Sequence, residues 1–229
     1  MSSQFWTMVG WVVGAGLLGL AITGLFVSGM KLSRNKFLIP YVLFVSIFLF
    51  AFITLNQIDL AALLAKNLLW GIIAGLLTSI ILIRHVRSQP RSRKPDDPSL
   101  AFELGWAGLI YGFIDAALLN VMPVIAMSVA LREYAWTSTI IGKIGVGVIE
   151  LAASLLVALL YHLGYPEFRT KKVRFVFLGN SVITLAYILS GNPLGSLLSH
   201  PIMHIAAVLQ GPETTVQLPP HYEAGSNPV

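Results

Sequence analysis

Six long apolar runs follow one another along the chain, at residues 6–30, 37–55, 68–83, 102–131, 139–162 and 175–189, each closed by a polar or basic segment. Runs of about twenty apolar residues cross a bilayer as helices, so the pattern predicts an all-α, polytopic membrane helix bundle of six transmembrane helices. A seventh apolar segment, residues 194–210, opens after the turn signal Gly191-Asn192-Pro193. It contains Pro201, which can occupy a first helical position with Ser199 or His200 as its cap. It is expected to be a short helix or half-helix that either spans or re-enters.

The segments between the runs set the organisation. Residues 87–99, RSQPRSRKPDDPS, form the strongly polar, proline-rich linker, expected to be exposed. They divide a three-helix scaffold part, residues 1–86, from a second membrane part, residues 100–210, and residues 211–229 read as a polar, irregular tail. The run at 37–55 has no charged residue and is expected to face lipid. Three connectors hold Lys31, Arg34, Lys36; Arg84, Arg87, Arg91, Arg93, Lys94; and Arg169, Lys171, Lys172, Arg174, twelve of the fifteen basic residues, leaving Lys66, Arg132 and Lys143 elsewhere. The positive-inside rule then places those loops in the cytoplasm of a plasma-membrane protein, the N-terminus outside and, with seven segments, the tail inside. The two parts show no internal repeat.

Composition agrees with a bilayer as solvent: 56% of the 229 residues are hydrophobic and 11% charged, with a mean hydropathy of +0.79, against roughly 25% charged in soluble domains. The net charge of +5 lies in short loops beside apolar runs, where it meets anionic lipid headgroups rather than nucleic acid. The absence of cysteine removes disulfides, thiolate metal sites and a cysteine nucleophile. Gly10, Gly14, Gly71, Gly75, Gly108 and Gly112 give small-xxx-small spacings for close helix contact, which also leave room for a homo-oligomer.

Against this apolar background a few residues stand out. Asp115 lies in the fourth run, where an ionised carboxylate costs ~2.5–3.5 kcal/mol on insertion scales, with Tyr111 one turn before it and Asn120 after. Glu150 lies in the fifth run, with Lys143 two turns earlier on its face. Asn180, Thr184 and Tyr187 form one stripe of the sixth, and His200 and His204, at i and i+4, share one face of the last. The fourth span is expected to end near Pro123 or a little later, placing Asp115 ~12 Å or more below the outer end, with Glu150 ~16 Å and the histidines ~9 and ~15 Å down. On this reading Asp115, Glu150, His200 and His204 converge in the outer half or middle of the membrane. Two imidazoles and two carboxylates suit zinc, or iron or manganese with an open position. The simpler readings are hydrogen bonds: His200 capping the Pro201 helix, Glu150 paired with Lys143, and Asp115 held by Tyr111 or the Asn180 stripe. His85, His162 and His221 are expected to be solvated.

The segment His200-Pro-Ile-Met-His204-Ile is similar, over about seven residues, to the HxxxH of the last helix in the alkaline ceramidase and progestin-receptor-like membrane hydrolases, which also have seven spans. That family also takes a histidine from an early helix, whereas no histidine precedes His85 here, so membership is not assigned. No HExxH, GxSxG, P-loop, GxGxxG or EExxxR pattern is present, which argues against a zincin-type protease, an elbow-type serine lipase and a nucleotide cofactor. Three classes stay open. They are a metal-dependent intramembrane enzyme with Asp115 and Glu150 as catalytic carboxylates and a lipid-like substrate, a proton- or ion-coupled small-solute transporter, and a structural or assembly protein.

Overall fold

The computed structural model describes residues 2–92, 98–211 and 213–219. Each apolar run is a helix: α1 Ser3–Gly29, α2 Arg34–Leu55, a short α3 Leu60–Ala65, α4 Leu68–Arg87, α5 Leu100–Leu131, α6 Ile140–Leu163, α7 Val173–Ser190 and α8 Leu194–Gln210. Among the described residues there is no strand. Six of the helices are long and apolar enough to cross a membrane. Local chemistry sets their ends. Ser2, Asp59 and Thr139 accept from the backbone N–H of Phe5, Ala62 and Gly142, capping α1, α3 and α6. Gly191, at φ 65°, closes α7 in the left-handed conformation.

The seventh segment is one helix with Pro201 inside it. It lies along α4 from end to end: Asn192 sits over Gly71, Leu194 and Leu198 over Gly75, and the Gln210 side chain donates to Gln89 O at 2.6 Å. The seventeen residues of α8 rise ~26 Å, close to the ~30 Å hydrocarbon thickness. The segment is thus one continuous helix rather than a half-helix. Gly71 and Gly75 make the contact, since a Cβ on them would stand 2.6 Å from Asn192 Oδ1 and 2.9 Å from Leu194 O.

α5 is the central helix, packed on by α1, α2, α6, α7 and α8. It does not end near Pro123 as the sequence suggested. Pro123 comes two residues after the end of a π-helical stretch, Ala117–Val121, and the helix continues to Leu131; the widened turn accommodates the missing N–H. A second π-helical stretch, Leu104–Ile110, precedes Tyr111–Ala116. The bundle's outer band is apolar: Ile39, Leu43 and Phe50 of α2, Leu69 and Leu76 of α4, and Ile141 and Ile144 of α6 are all exposed, which suits hydrocarbon and not water.

The lipid-facing expectation for residues 37–55 needs correction. One face of α2 does point outward, but Phe37, Leu38, Tyr41 and Val45 are completely buried. Nor do the first helices form a layer of their own, because α1 packs on α5 and α6, and α4 on α8. Part of the linker, residues 93–97, and residues 220–229 of the tail, including His221, lie outside the described residues.

Candidate functional site

Asp115 stands on the six-residue α-helical stretch between the two π-helical ones and is 2% exposed. Its Oδ2 lies 3.3 Å from His200 Nε2 and 3.8 Å from His204 Nε2. The two imidazoles, one turn apart on α8, stack with centroids 4.9 Å apart and planes at 12°. Glycine lets α8 come this close: a Cβ at Gly112 would be 2.7 Å from Pro201 Cα and 3.1 Å from His204 Cδ2. The remaining capacity of the carboxylate is taken by phenols, with Tyr41 donating to Oδ1 at 2.5 Å and Tyr111 to Oδ2 at 3.0 Å. Tyr111 meets Tyr161 at 2.9 Å, and Tyr161 meets Tyr165 at 2.7 Å, in a buried file of hydroxyls.

A second network fixes His200. Asn120 Nδ2 donates to Asn180 Oδ1 at 2.8 Å and to Thr184 Oγ1 at 2.9 Å. Asn180 in turn donates to Ser154 Oγ at 2.9 Å, and Ser154 donates to Leu119 O at 2.7 Å. With both amide hydrogens of Asn120 committed, its Oδ1 is an acceptor. His200 Nδ1, 2.7 Å away, is therefore the donor. In the neutral ring Nε2 then has a lone pair, and that lone pair faces the Asp115 oxygen. His204 is also short of partners: it is 2% exposed and neither ring nitrogen has a hydrogen-bond partner.

Two acceptors facing each other need something positive between them. One solution is a proton, giving an imidazolium–carboxylate pair; the other is a cation. The donor set allows the second. The three ligand atoms lie within 4.8 Å of one another, and since bonds of ~2.0–2.1 Å to a tetrahedral ion place neighbouring donors ~3.4 Å apart, the three would close in on an ion. Asn120 occupies the outer position that orients a ligating histidine.

Of the residues singled out in the sequence, Asp115, His200 and His204 come together, with Tyr111 and Asn120 beside them and Asn180 and Thr184 one layer behind. Glu150 does not join them. Its carboxylate accepts from Ser128 Oγ, while four residues on in α6 Ser154 reaches Leu119, and further on Tyr161 reaches Tyr111. The level of Asp115 falls between those two contacts, so Glu150 stands about two turns, ~11 Å, toward the other end. The expectation failed because α5 continues past Pro123: Asp115 is ~24 Å from Leu131, twice the distance assumed. The site lies near the middle of its helices, with Asp115 midway along α5 and His200 near the midpoint of α8, and extends from there toward the end that carries the basic loops. Tyr41 is seven residues into α2 and His204 six before the end of α8, or ~9–11 Å from that end.

Lys143 is exposed and, among the described residues, makes no ion pair with Glu150. Tyr187 is buried, and its side chain makes no hydrogen bond to Asn120, Asn180, Thr184 or His200. His162, expected to be solvated, is half-buried, with Nδ1 2.8 Å from Ala158 O and its ring against Tyr161 and Phe168. Sequence reasoning missed Tyr41, Tyr161, Tyr165, Ser154 and Ser128. The i, i+4 spacing of Tyr161 and Tyr165 was a usable signal; nothing around Tyr41 marked it.

Comparison with family models, curated proteins and solved structures found no match. The class is therefore defined by the fold and site themselves: a membrane-spanning-type helical bundle with a buried Asp-His-His group that can bind a metal ion.

Proposed function

We propose that Asp115, His200 and His204 hold a zinc, iron or manganese ion and that the chain is a metal-dependent intramembrane enzyme acting on a lipid-like substrate. The observation that carries this reading is the trio of buried donors in which His204 has no hydrogen-bond partner and the His200 lone pair is turned toward a carboxylate. Two nitrogens and one carboxylate leave coordination positions open for water or substrate. A bound ion would supply Lewis acidity and activate water.

The protein's own residues do the rest. Tyr41 and Tyr111 hold the carboxylate at a fixed angle, Asn120 holds the His200 ring, and the enclosing apolar side chains exclude bulk water. Tyr111 Oη opens onto Tyr161 and Tyr165, a file of hydroxyls able to pass a proton away from Asp115. The side of the site nearest the basic end, where His204 and Tyr41 lie ~9–11 Å from it, suits a substrate that lies in the leaflet with its polar group toward the Lys and Arg loops, where anionic headgroups gather. Glu150 has no part in this chemistry.

A second reading, a proton- or ion-coupled carrier, draws on one observation: Glu150 and Asp115 are buried carboxylates at two different depths. Metal analysis of detergent-purified protein separates the two. About one ion per chain in the wild type, lost in His204→Ala and Asp115→Asn, together with product release from mixed-lipid vesicles, supports the enzyme. A metal-free protein that moves protons in liposomes supports the carrier, and neither activity returns the chain to a structural or assembly role.

A further inference from the structure

The segment after α8 folds back over the basic end of the bundle. Gly211, at φ 144°, makes the reversal, and residues 213–219 cross from the end of α8, under the chain leaving α4, to the start of α2. The contacts are specific. Thr214 Oγ1 donates to Pro90 O at 2.5 Å and Glu213 N to Ser92 Oγ at 3.3 Å. Gln89 accepts from Val216 N at 3.4 Å and donates to Gln217 Oε1 at 3.0 Å. Arg34 Nε donates to Pro219 O at 2.5 Å.

In the middle of this polar strap Leu218 is 1% exposed and belongs to the same core cluster as Tyr111 and Tyr161. Thr215 is buried as well, bonded to Gly211 O at 2.8 Å. The helix ends joined by the strap, those of α8 and α2, are the ends whose next two turns carry His204 and Tyr41. A solvated tail has no reason to bury a leucine between the ends of the helices that hold the site.

We infer that residues 213–219 are a plug over the mouth of the Asp115–His200–His204 site, anchored by Leu218, and that water and small water-borne solutes reach the three donors from the basic end when the plug lifts. The inference uses the location of the proposed site but not the presence of an ion in it, so the two stand or fall on separate measurements.

The chain has no cysteine, so an introduced thiol is the sole target of a thiol reagent. Ala207, completely buried and three residues beyond His204 on its face, is the position to probe. In membranes, Ala207→Cys should react slowly with a charged, water-soluble methanethiosulfonate. It should react about tenfold faster or more when Leu218→Asp is added, because a charge placed at a buried apolar position shifts the opening equilibrium. Gln89→Ala, which removes two of the strap's hydrogen bonds and leaves Leu218 in place, should give a smaller acceleration in the same direction. A thiol at Ala15, equally buried but on α1, reports general loosening and should stay unreactive in both backgrounds. If Leu218→Asp also exposes the Ala15 thiol, Gln89→Ala decides alone. Equal rates at Ala207 with and without the strap changes, or fast labelling with the strap intact, would overturn the plug. Metal content of the same preparations reports on the ion independently.

Discussion

Tyr41 and Asp115 are 74 residues apart in the chain and 2.5 Å apart in the fold, the hydroxyl of one donating to the carboxylate of the other. The bond ties α2 to α5 at the depth of the site. Tyr41→Phe keeps the ring packing against Phe37, Tyr111 and Tyr161 and removes only the donor. A buried hydrogen bond to a charged group contributes ~1.5–3 kcal/mol, so the variant should unfold at a clearly lower temperature in detergent. An unchanged midpoint would mean that the phenol does not hold the carboxylate.

Asn120 is expected to act through His200. Asn120→Leu leaves Nδ1 without its acceptor and frees the ring to turn over, which should weaken metal affinity by about 10–100-fold. Asn120→Asp, which retains an acceptor at the same place, should retain more of it. Titration of the apo-protein with zinc and a competing chelator measures both, and equal affinities for the two variants would count against the orienting role.

Glu150 and Asp115 should behave as independent sites. On the proposed metal reading, Glu150→Gln ought to leave metal stoichiometry intact, whereas Asp115→Asn should abolish it. Because the carboxylates are about two turns apart and share no partner, the stability changes of the double variant should add to within ~0.5 kcal/mol. A larger deviation in thermal or denaturant unfolding would show a coupling that the structure does not contain.

Packing between α5 and α8 gives a prediction that needs no ligand. A Cβ at Gly112 meets the backbone of Pro201 at 2.7 Å, while one at Gly10 meets nothing within 4 Å. Gly112→Ala should therefore destabilise the bundle by ~1–3 kcal/mol and spread the Asp115–His204 pair, whereas Gly10→Ala should be neutral or slightly stabilising. Thermal unfolding in one detergent compares them directly.

Topology remains testable with the same cysteine-free chain. With the basic loops on the cytoplasmic face, a thiol at Lys171 should be protected from an impermeant reagent in intact cells and one at Ile140, at the opposite end, should not. Reversal of that pattern would invert the orientation.

The spans were legible in the sequence because run length depends on bilayer thickness and little else. The Asp115, His200 and His204 set was legible because charge in an apolar run needs a partner wherever the helices lie. Glu150 misled because depth along a helix depends on where the helix stops, and Pro123 looks like a stop. What reverses that is the π-helical turn before it, which comes from packing and has no sequence signature. Tyr41 was invisible for a related reason: a tyrosine suits either a lipid-facing or a buried position, and only the arrival of α5 decides between them.

The two π-helical stretches on either side of Asp115 also make α5 sensitive to its own residue count. Each inserts extra residues into an otherwise 3.6-residue spiral, so the chain between them is held in a rotational phase that the flanking segments alone would not give. Removing a single residue from the stretch Ala117–Val121 would read as a rotation, not as a shortening. The half of α5 that bears Asp115 would turn by ~100° relative to the half from Met122 onward. For this helix, deletions should be far less tolerated than substitutions, even among residues that touch no part of the site.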